Sequence, residues 1–258
     1  MNPIEIYKEL PKTNCGQCGQ RTCMAFAIVV SKGDQQITGC PYLDNEKAQR
    51  IAASIVTVDW RENIIKSLKD DIRDVDLKAV AADLGAEVLA TGIGIRSLGR
   101  DFILGDDREI TSDGKVTPWE KILLLIYVKT GGKGHPTGNW ISFGQLRGGG
   151  VKVEAIKKEF EEPMSKLFDK SHDEAVAALE ALGAVKATGH PSELAWSCQL
   201  MPKIPILVLY WPADAEFPAR FKSLFDDSAD KFLDVESIVF LCEGFVKRIS
   251  QIMGIEVD

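Results

Sequence analysis

The sequence predicts an α+β protein in which a small helical module is followed by a mixed, mainly antiparallel α+β domain. Three observations carry that prediction. Four of the chain's six cysteines fall before residue 41, in a segment whose apolar residues recur at helical spacing. From Ala86 onward the pattern changes to short alternating runs bounded by Asp106-Asp107 and Asp113-Gly114, which read as an antiparallel meander. Helical patterns and apolar strand-like runs then interleave to the end of the chain, which suits neither an all-α nor an all-β architecture. With 258 residues, the chain divides naturally into a module at 1–58 and a domain at 59–258.

The elements follow in order. Ile4 to Leu10 form a short amphipathic helix that Pro11 ends, and Lys12 to Arg21 form a glycine-containing loop. Thr22 caps a helix from Cys23 to about Lys32, where Gly33 stops it. A polar loop leads to Cys40-Pro41, and a further helix runs from about Asp44 to Ser54. Ile64, Ile65 and Leu68, then Leu77, Val80, Ala81 and Leu84, mark two more helices, with the charged stretch Lys66 to Asp76 expected as a hinge. Strands are expected at Glu87–Thr91, Gly99–Leu104 and Arg108–Thr111. Pro118 opens a buried helix over Trp119–Lys129. The glycine-rich loop Gly131–Gly138 leads into a strand through Trp140, Ile141 and Phe143, closed by Gly148-Gly149-Gly150. Helices at about 152–162 and 171–182 follow, the second with a capping box from Ser171 and Glu174. Residues 193–201, Ile204–Tyr210 and Phe217–Leu224 read as strands, and Asp234–Met253 as a long amphipathic helix.

The chemistry is concentrated at Cys15, Cys18, Cys23 and Cys40, spaced Cys-x2-Cys-x4-Cys-x16-Cys-Pro, with Gly16 and Gly19 beside the first pair. Four thiolates are the ligand set of an iron–sulfur cubane, and glycines let the backbone wrap close to inorganic sulfide. Cys23 falls at a helix N-terminus, where exposed N–H groups favour an anionic ligand. Zinc is the alternative occupant of four thiolates, but zinc ribbons pair two Cys-x2-Cys knuckles, and here sixteen residues separate the last two cysteines. A [4Fe–4S] cluster suits the spacing best, ahead of zinc, a [2Fe–2S] cluster or a redox disulfide.

Composition narrows the classes further. A hydrophobic share of 45% and a charged share of 27% are those of an ordinary globular protein. A net charge of −7 argues against general nucleic-acid binding, which needs a basic face. The N-terminus has no basic n-region followed by an apolar core, and no apolar run approaches the roughly 20 residues of a membrane span, so a cytoplasmic protein is expected.

The stretches Asn14-Cys15-Gly16-Gln17-Cys18-Gly19, Thr22–Ala27 and Cys40-Pro41 resemble the small [4Fe–4S] domain at the N-terminus of the corrinoid iron–sulfur protein large subunit, and related modules of Rnf-type electron-transport subunits. The resemblance covers about residues 3 to 55. It implies low-potential one-electron transfer in anaerobic metabolism to a redox partner, such as a corrinoid protein, with the four cysteines as ligands. Phe102–Asp107, Trp119–Tyr127, Pro136–Gly149, Pro202–Trp211, Asp214–Asp226 and Asp230–Glu236 resemble a prokaryotic domain of unknown function that accompanies such modules. No Asp-x-His-x-x-Gly cobalt segment, phosphate loop or dinucleotide fingerprint is present. A cluster-dependent sensor, scaffold or assembly protein without turnover is the alternative.

In the second domain His135, Asn139, Trp140 and Arg147 are candidates for a ligand pocket, with Trp140 as a stacking wall and Arg147 as a fork donor. A glycine turn with a core tryptophan and a solvated arginine is the simpler reading. Asp214, Glu216, Asp226, Asp227 and Asp230 are expected to cap turns and helices rather than hold a metal. Cys198 and Cys242 are expected as buried thiols, and His172 and His190 as surface residues.

Overall fold

A computed structural model describes residues 1–54 and 60–255. The chain divides into two compact units, Met1–Ser67 and Leu68–Asp258. The expected boundary at 58/59 lies outside the described residues.

The first unit is helical: α1 (Pro3–Glu9), α2 (Cys23–Lys32), a 3-10 turn (Ile37–Gly39), α3 (Asn45–Ser54) and the first two turns of α4 (Trp60–Asp71), whose last residues belong to the second unit. Asn2 and Glu5 close a capping box on α1: Asn2 Oδ1 accepts the Glu5 N–H, the Glu5 carboxylate accepts the Asn2 N–H, and Pro3 at the first position has no N–H to satisfy. Gly33 ends α2 with φ +81°, a left-handed turn that costs other residues more. Ile6, Leu10, Phe26, Ala27, Val30, Ile37, Ala48 and Ile51 form a single apolar core in this unit.

The second unit is α+β. After α5 (Leu77–Leu84) come β1 (Glu87–Leu89), β2 (Gly92–Ser97), β3 (Arg100–Gly105) and β4 (Ile110–Ser112), paired antiparallel in sequence order. The meander expected from the turn signals is present, with one strand more. β2 was hidden because Gly92-Ile93-Gly94 reads as a glycine turn, yet Gly92 pairs with Gly105, where neither strand has a side chain to separate the backbones.

Next are α6 (Pro118–Thr130), β5 (Trp140–Ser142), α7 (Val153–Ile156), a π-turn (Lys157–Glu161), α8 (Glu162–Lys170) and α9 (His172–Ala181). The chain ends with β6 (Val185–Lys186), β7 (Leu194–Met201), β8 (Ile204–Trp211), β9 (Arg220–Asp226) and α10 (Val235–Met253). The second sheet has the antiparallel order β5-β9-β8-β7-β6. Phe168 of α8 packs on Trp196, Tyr210 and Phe221, and Phe160 on Phe221 and Phe245, so the helices cover that face. The opposite face carries Ala195, Leu207 and Leu209 with Trp140, Trp211 and Leu224. Both faces being apolar explains why β8 reads as an unbroken hydrophobic run.

Four expectations are corrected. The supposed hinge is helical as far as Asp71, and Arg108 clamps the turn that follows through the carbonyls of Ile72, Arg73 and Val75. The helix expected to end near 162 continues to Lys170 across Pro163. The π-turn before it widens the backbone spacing where the proline ring and its missing N–H would otherwise break the ladder. Ser171 makes no side-chain cap, because its N–H closes α8 on Leu167 and its φ/ψ of −155°/85° is not that of a cap. Phe217 lies in a turn rather than a strand, and β9 begins at Arg220.

Candidate metal centre

The loop between α1 and α2 is held by its own polar side chains. Thr22 Oγ accepts the Ala25 N–H at 3.0 Å, and Asn14 Oδ1 accepts the Cys23 N–H at 2.8 Å. Both cap the N-terminus of α2, so the first residue of that helix is the third cysteine. Gly19 donates to the Gly16 carbonyl at 2.9 Å in a tight turn where Gly16 and Gly19 have φ +75° and +84°. Gln35 Nε2 reaches across to the Cys18 carbonyl at 3.3 Å and ties this turn to the segment leading to Cys40. Cys40 N–H closes the 3-10 turn on Ile37, and Leu43 N–H returns to the Cys40 carbonyl.

The four thiols are graded in burial. Cys23 and Cys40 are each 8% exposed and belong to the unit's core, Cys18 packs partly against that core, and Cys15 is exposed. The Gln17 N–H, then the Thr13 hydroxyl, hold the Cys15 thiol below its ordinary range and favour the thiolate that a metal needs. Cys198 and Cys242 lie in the second unit, where burial pushes Cys198 up to about 12 and Cys242 well above a normal thiol. They are inert core residues, as the sequence suggested.

Among the described residues, no three His, Cys, Asp or Glu side chains surround a point where one metal ion would sit. The fit of an iron–sulfur group therefore rests on the donors and their setting. All four are thiols, one begins a helix and one has an exposed, anion-favouring environment, and no atom would lie within 4 Å of a Cβ at Gly16. Soft thiolates with open backbone beside them suit such a group.

The second unit separates the candidate pocket residues. His135 Nδ1 lies 3.1 Å from Lys203 Nζ, which also donates to the Gly134 carbonyl at 3.0 Å. Lys203 is only 5% exposed, and its one signal in the sequence is a lone lysine between two apolar strands. Asn139 donates to Asp227 at 3.3 Å. Trp140 packs on the apolar sheet face, and Arg147 is exposed with its backbone N–H on Asp230 at 2.7 Å. The acidic residues cap turns: Asp214 accepts from Glu216 and Phe217 N–H, and buried Asp226 from Thr137, Gly138 and Ser228 N–H. His172 is half-buried, stacked on Tyr210. A cleft of about 240 Å³ lies elsewhere, lined by His172, Asp173, Glu180, Lys186 and Trp196 among others. No helix among the described residues is long and apolar enough to cross a membrane.

Comparison with known proteins matches residues 10–42 to the family model described as "Putative Fe-S cluster". The match supports an iron–sulfur cofactor in the N-terminal unit. The chain is 43% identical over 51 residues to the corrinoid/iron-sulfur protein large subunit of Moorella thermoacetica, covering 20% of this chain and 11% of the relative. It is 39% identical over 88 residues to acetyl-CoA decarbonylase/synthase complex subunit gamma 2 of Methanosarcina mazei, covering 33% and 17%. Against the gamma 2 subunit of Methanosarcina thermophila it is 52% identical over 46 residues, covering 18% and 10%. The chain thus spans under a fifth of the length of these relatives. No solved structure matches. The model described as "Domain of unknown function (DUF3786)" matches residues 76–248, about two thirds of the chain, and the chain belongs to that family.

Proposed function

We propose that this is a cytoplasmic [4Fe–4S] protein that passes one electron at a time through its N-terminal module to a corrinoid or other redox partner, or to a ligand of its C-terminal domain. Cys15, Cys18, Cys23 and Cys40 hold the cluster, and the functional division falls near residues 58/59. The observation that carries this reading is the four-thiol loop, two thiols in the core and two toward solvent, in a segment similar to proteins whose names include corrinoid/iron-sulfur protein. A cubane supplies a reversible one-electron couple. The chain's part is to supply four thiolates, to seat two of them in an apolar core that limits water, and to leave the other side open to a partner.

Metal and labile-sulfide analysis of anaerobically purified protein tests the cluster. Iron and sulfide in equal amounts, about four of each per chain, support the reading. Stoichiometric zinc without sulfide refutes it. A cluster that loads but takes up no electron at accessible potentials leaves the sensor or scaffold role in its place.

A further inference from the structure

The cleft beside α9 has two walls of opposite chemistry, and all of it lies in the second unit. On α9, His172, Asp173, Val176 and Glu180 fall at i, i+1, i+4 and i+8 and so share one face. On the sheet, Lys186 of the edge strand β6 is the cross-strand partner of Trp196 in β7, which sets both side chains on the same face. The cleft holds about 240 Å³, room for about eight waters and less than the roughly 300 Å³ at which drug-sized sites begin.

Trp196 is 1% exposed, yet its indole N–H is buried with no acceptor among the described residues. Buried donors are met almost without exception, so an acceptor is due from the space that Trp196 lines. Beside it, the Lys186 ammonium makes no ion pair or hydrogen bond among the described residues, and neither do the Asp173 and Glu180 carboxylates on the helix wall. His172 is fixed by stacking on Tyr210 at 5.7 Å and edge-on to Phe168 at 5.8 Å, so its ring nitrogens can serve either wall.

Trp196 and Lys186 can only donate, whereas ionised Asp173 and Glu180 can only accept. Two carboxylates against one ammonium leave the lining net negative, which opposes a simple anion. A simple amine would leave the indole N–H unmet. A molecule that carries both signs meets both walls.

We infer that the cleft between α9 and the β6–β7 edge binds a small zwitterion, a free amino acid, with its carboxylate on Trp196 and Lys186 and its ammonium on Asp173 or Glu180. Val176 and Leu194, both half-buried, flank a short side chain. The assignment concerns the second unit alone and does not rest on the electron-carrier role.

The test titrates the full-length chain, carrying isotope-labelled tryptophan, with each of the standard L-amino acids and follows the indole N–H resonances by NMR. Loss of one resonance in Trp196→Phe identifies the signal of Trp196. At least one amino acid with a short side chain is expected to move that signal and to bind with a Kd below about 1 mM. The amine that lacks its carboxylate, and the acid that lacks its ammonium, should each bind at least about tenfold more weakly. Lys186→Met and the double variant Asp173→Asn/Glu180→Gln should each weaken binding about tenfold. These three side chains are exposed, so both variants are expected to melt as the wild type does even where Trp196→Phe does not.

No binding by any amino acid up to about 10 mM overturns the inference. So does an amine or acid that binds as tightly as the parent amino acid, or a Kd unchanged in Lys186→Met. An indole signal that stays in place throughout and exchanges with solvent shows that the acceptor is a water, and overturns it as well. Iron content and reduction enter none of these readouts, so the electron-carrier role is tested separately.

Discussion

Asp226→Asn isolates the anchor of the glycine-rich loop. Asp226 is fully buried at the end of β9. Its Oδ1 accepts the Thr137 and Ser228 N–H groups at 3.0 Å each and the Ser228 hydroxyl, and its Oδ2 accepts the Gly138 N–H at 2.6 Å. An asparagine keeps the oxygen on the Oδ1 side but sets an NH2 against the Gly138 N–H. One buried donor then loses its acceptor, at about 1–3 kcal/mol, and three bonds lose charge assistance, so the expected cost is about 3 kcal/mol. For a unit of this size that lowers the midpoint by about 6–12 °C.

Burial alone would raise the Asp226 pKa, but the hydrogen bonds from Ser228, Thr137 and Gly138 outweigh it and hold the carboxyl below its ordinary range. A depressed folded pKa contributes stability that is present above the ordinary value of about 3.9 and is lost as pH falls through the lower folded value. The wild type therefore loses this contribution below about pH 4, and the variant lacks that part of the acid limb. Urea unfolding at pH 7 and pH 3, with hydrogen exchange at the Thr137 and Gly138 amides, measures both. An unchanged midpoint at pH 7, or a variant that keeps the full acid limb, would refute the reasoning.

Arg108→Ala removes a cation from the carbonyls of Ile72, Arg73 and Val75 and should destabilise the second unit by about 3 kcal/mol in urea. Arg108→Lys should recover only part of that, because an ammonium lacks the planar fork. Gly92→Ala sets a Cβ against the Leu104 carbonyl and 2.9 Å from Gly105 Cα at φ +137°, and about 3–5 kcal/mol of destabilisation is expected in the same assay. Cys15→Ser and Cys23→Ser should both reduce iron content. Only Cys23→Ser, which buries a hydroxyl in the core, should also lower the melting of the metal-free protein, by about 1–2 kcal/mol, against less than about 0.5 kcal/mol for Cys15→Ser. Equal apo-protein melting of the two variants would contradict the graded burial.

Local signals made much of this structure readable. Thr22, Gly33, Pro118 and the Asp-rich turns act within a few residues of themselves, so a cap, a stop or a turn can be read directly from the chain. The cysteine spacing is likewise a local ligand signature. The misreadings arose where a distant partner overrides local propensity. Gly92 is a strand residue only because Gly105 faces it, and Pro163 lies within a helical run only because a π-turn precedes it. The Lys66–Asp76 stretch is ordered by Arg108, more than thirty residues away. Lys203 beside His135, and the division of Asn139 and Arg147 between different aspartates, depend on tertiary proximity that no window of sequence displays.

An EPR-monitored redox titration of the anaerobic, cluster-loaded wild type tests the electron-carrier role most directly. A reversible one-electron wave, with a reduced-cluster signal that accounts for about one spin per chain and disappears in Cys23→Ser, is the predicted result. A loaded protein that gives no reversible signal across the accessible range would contradict it.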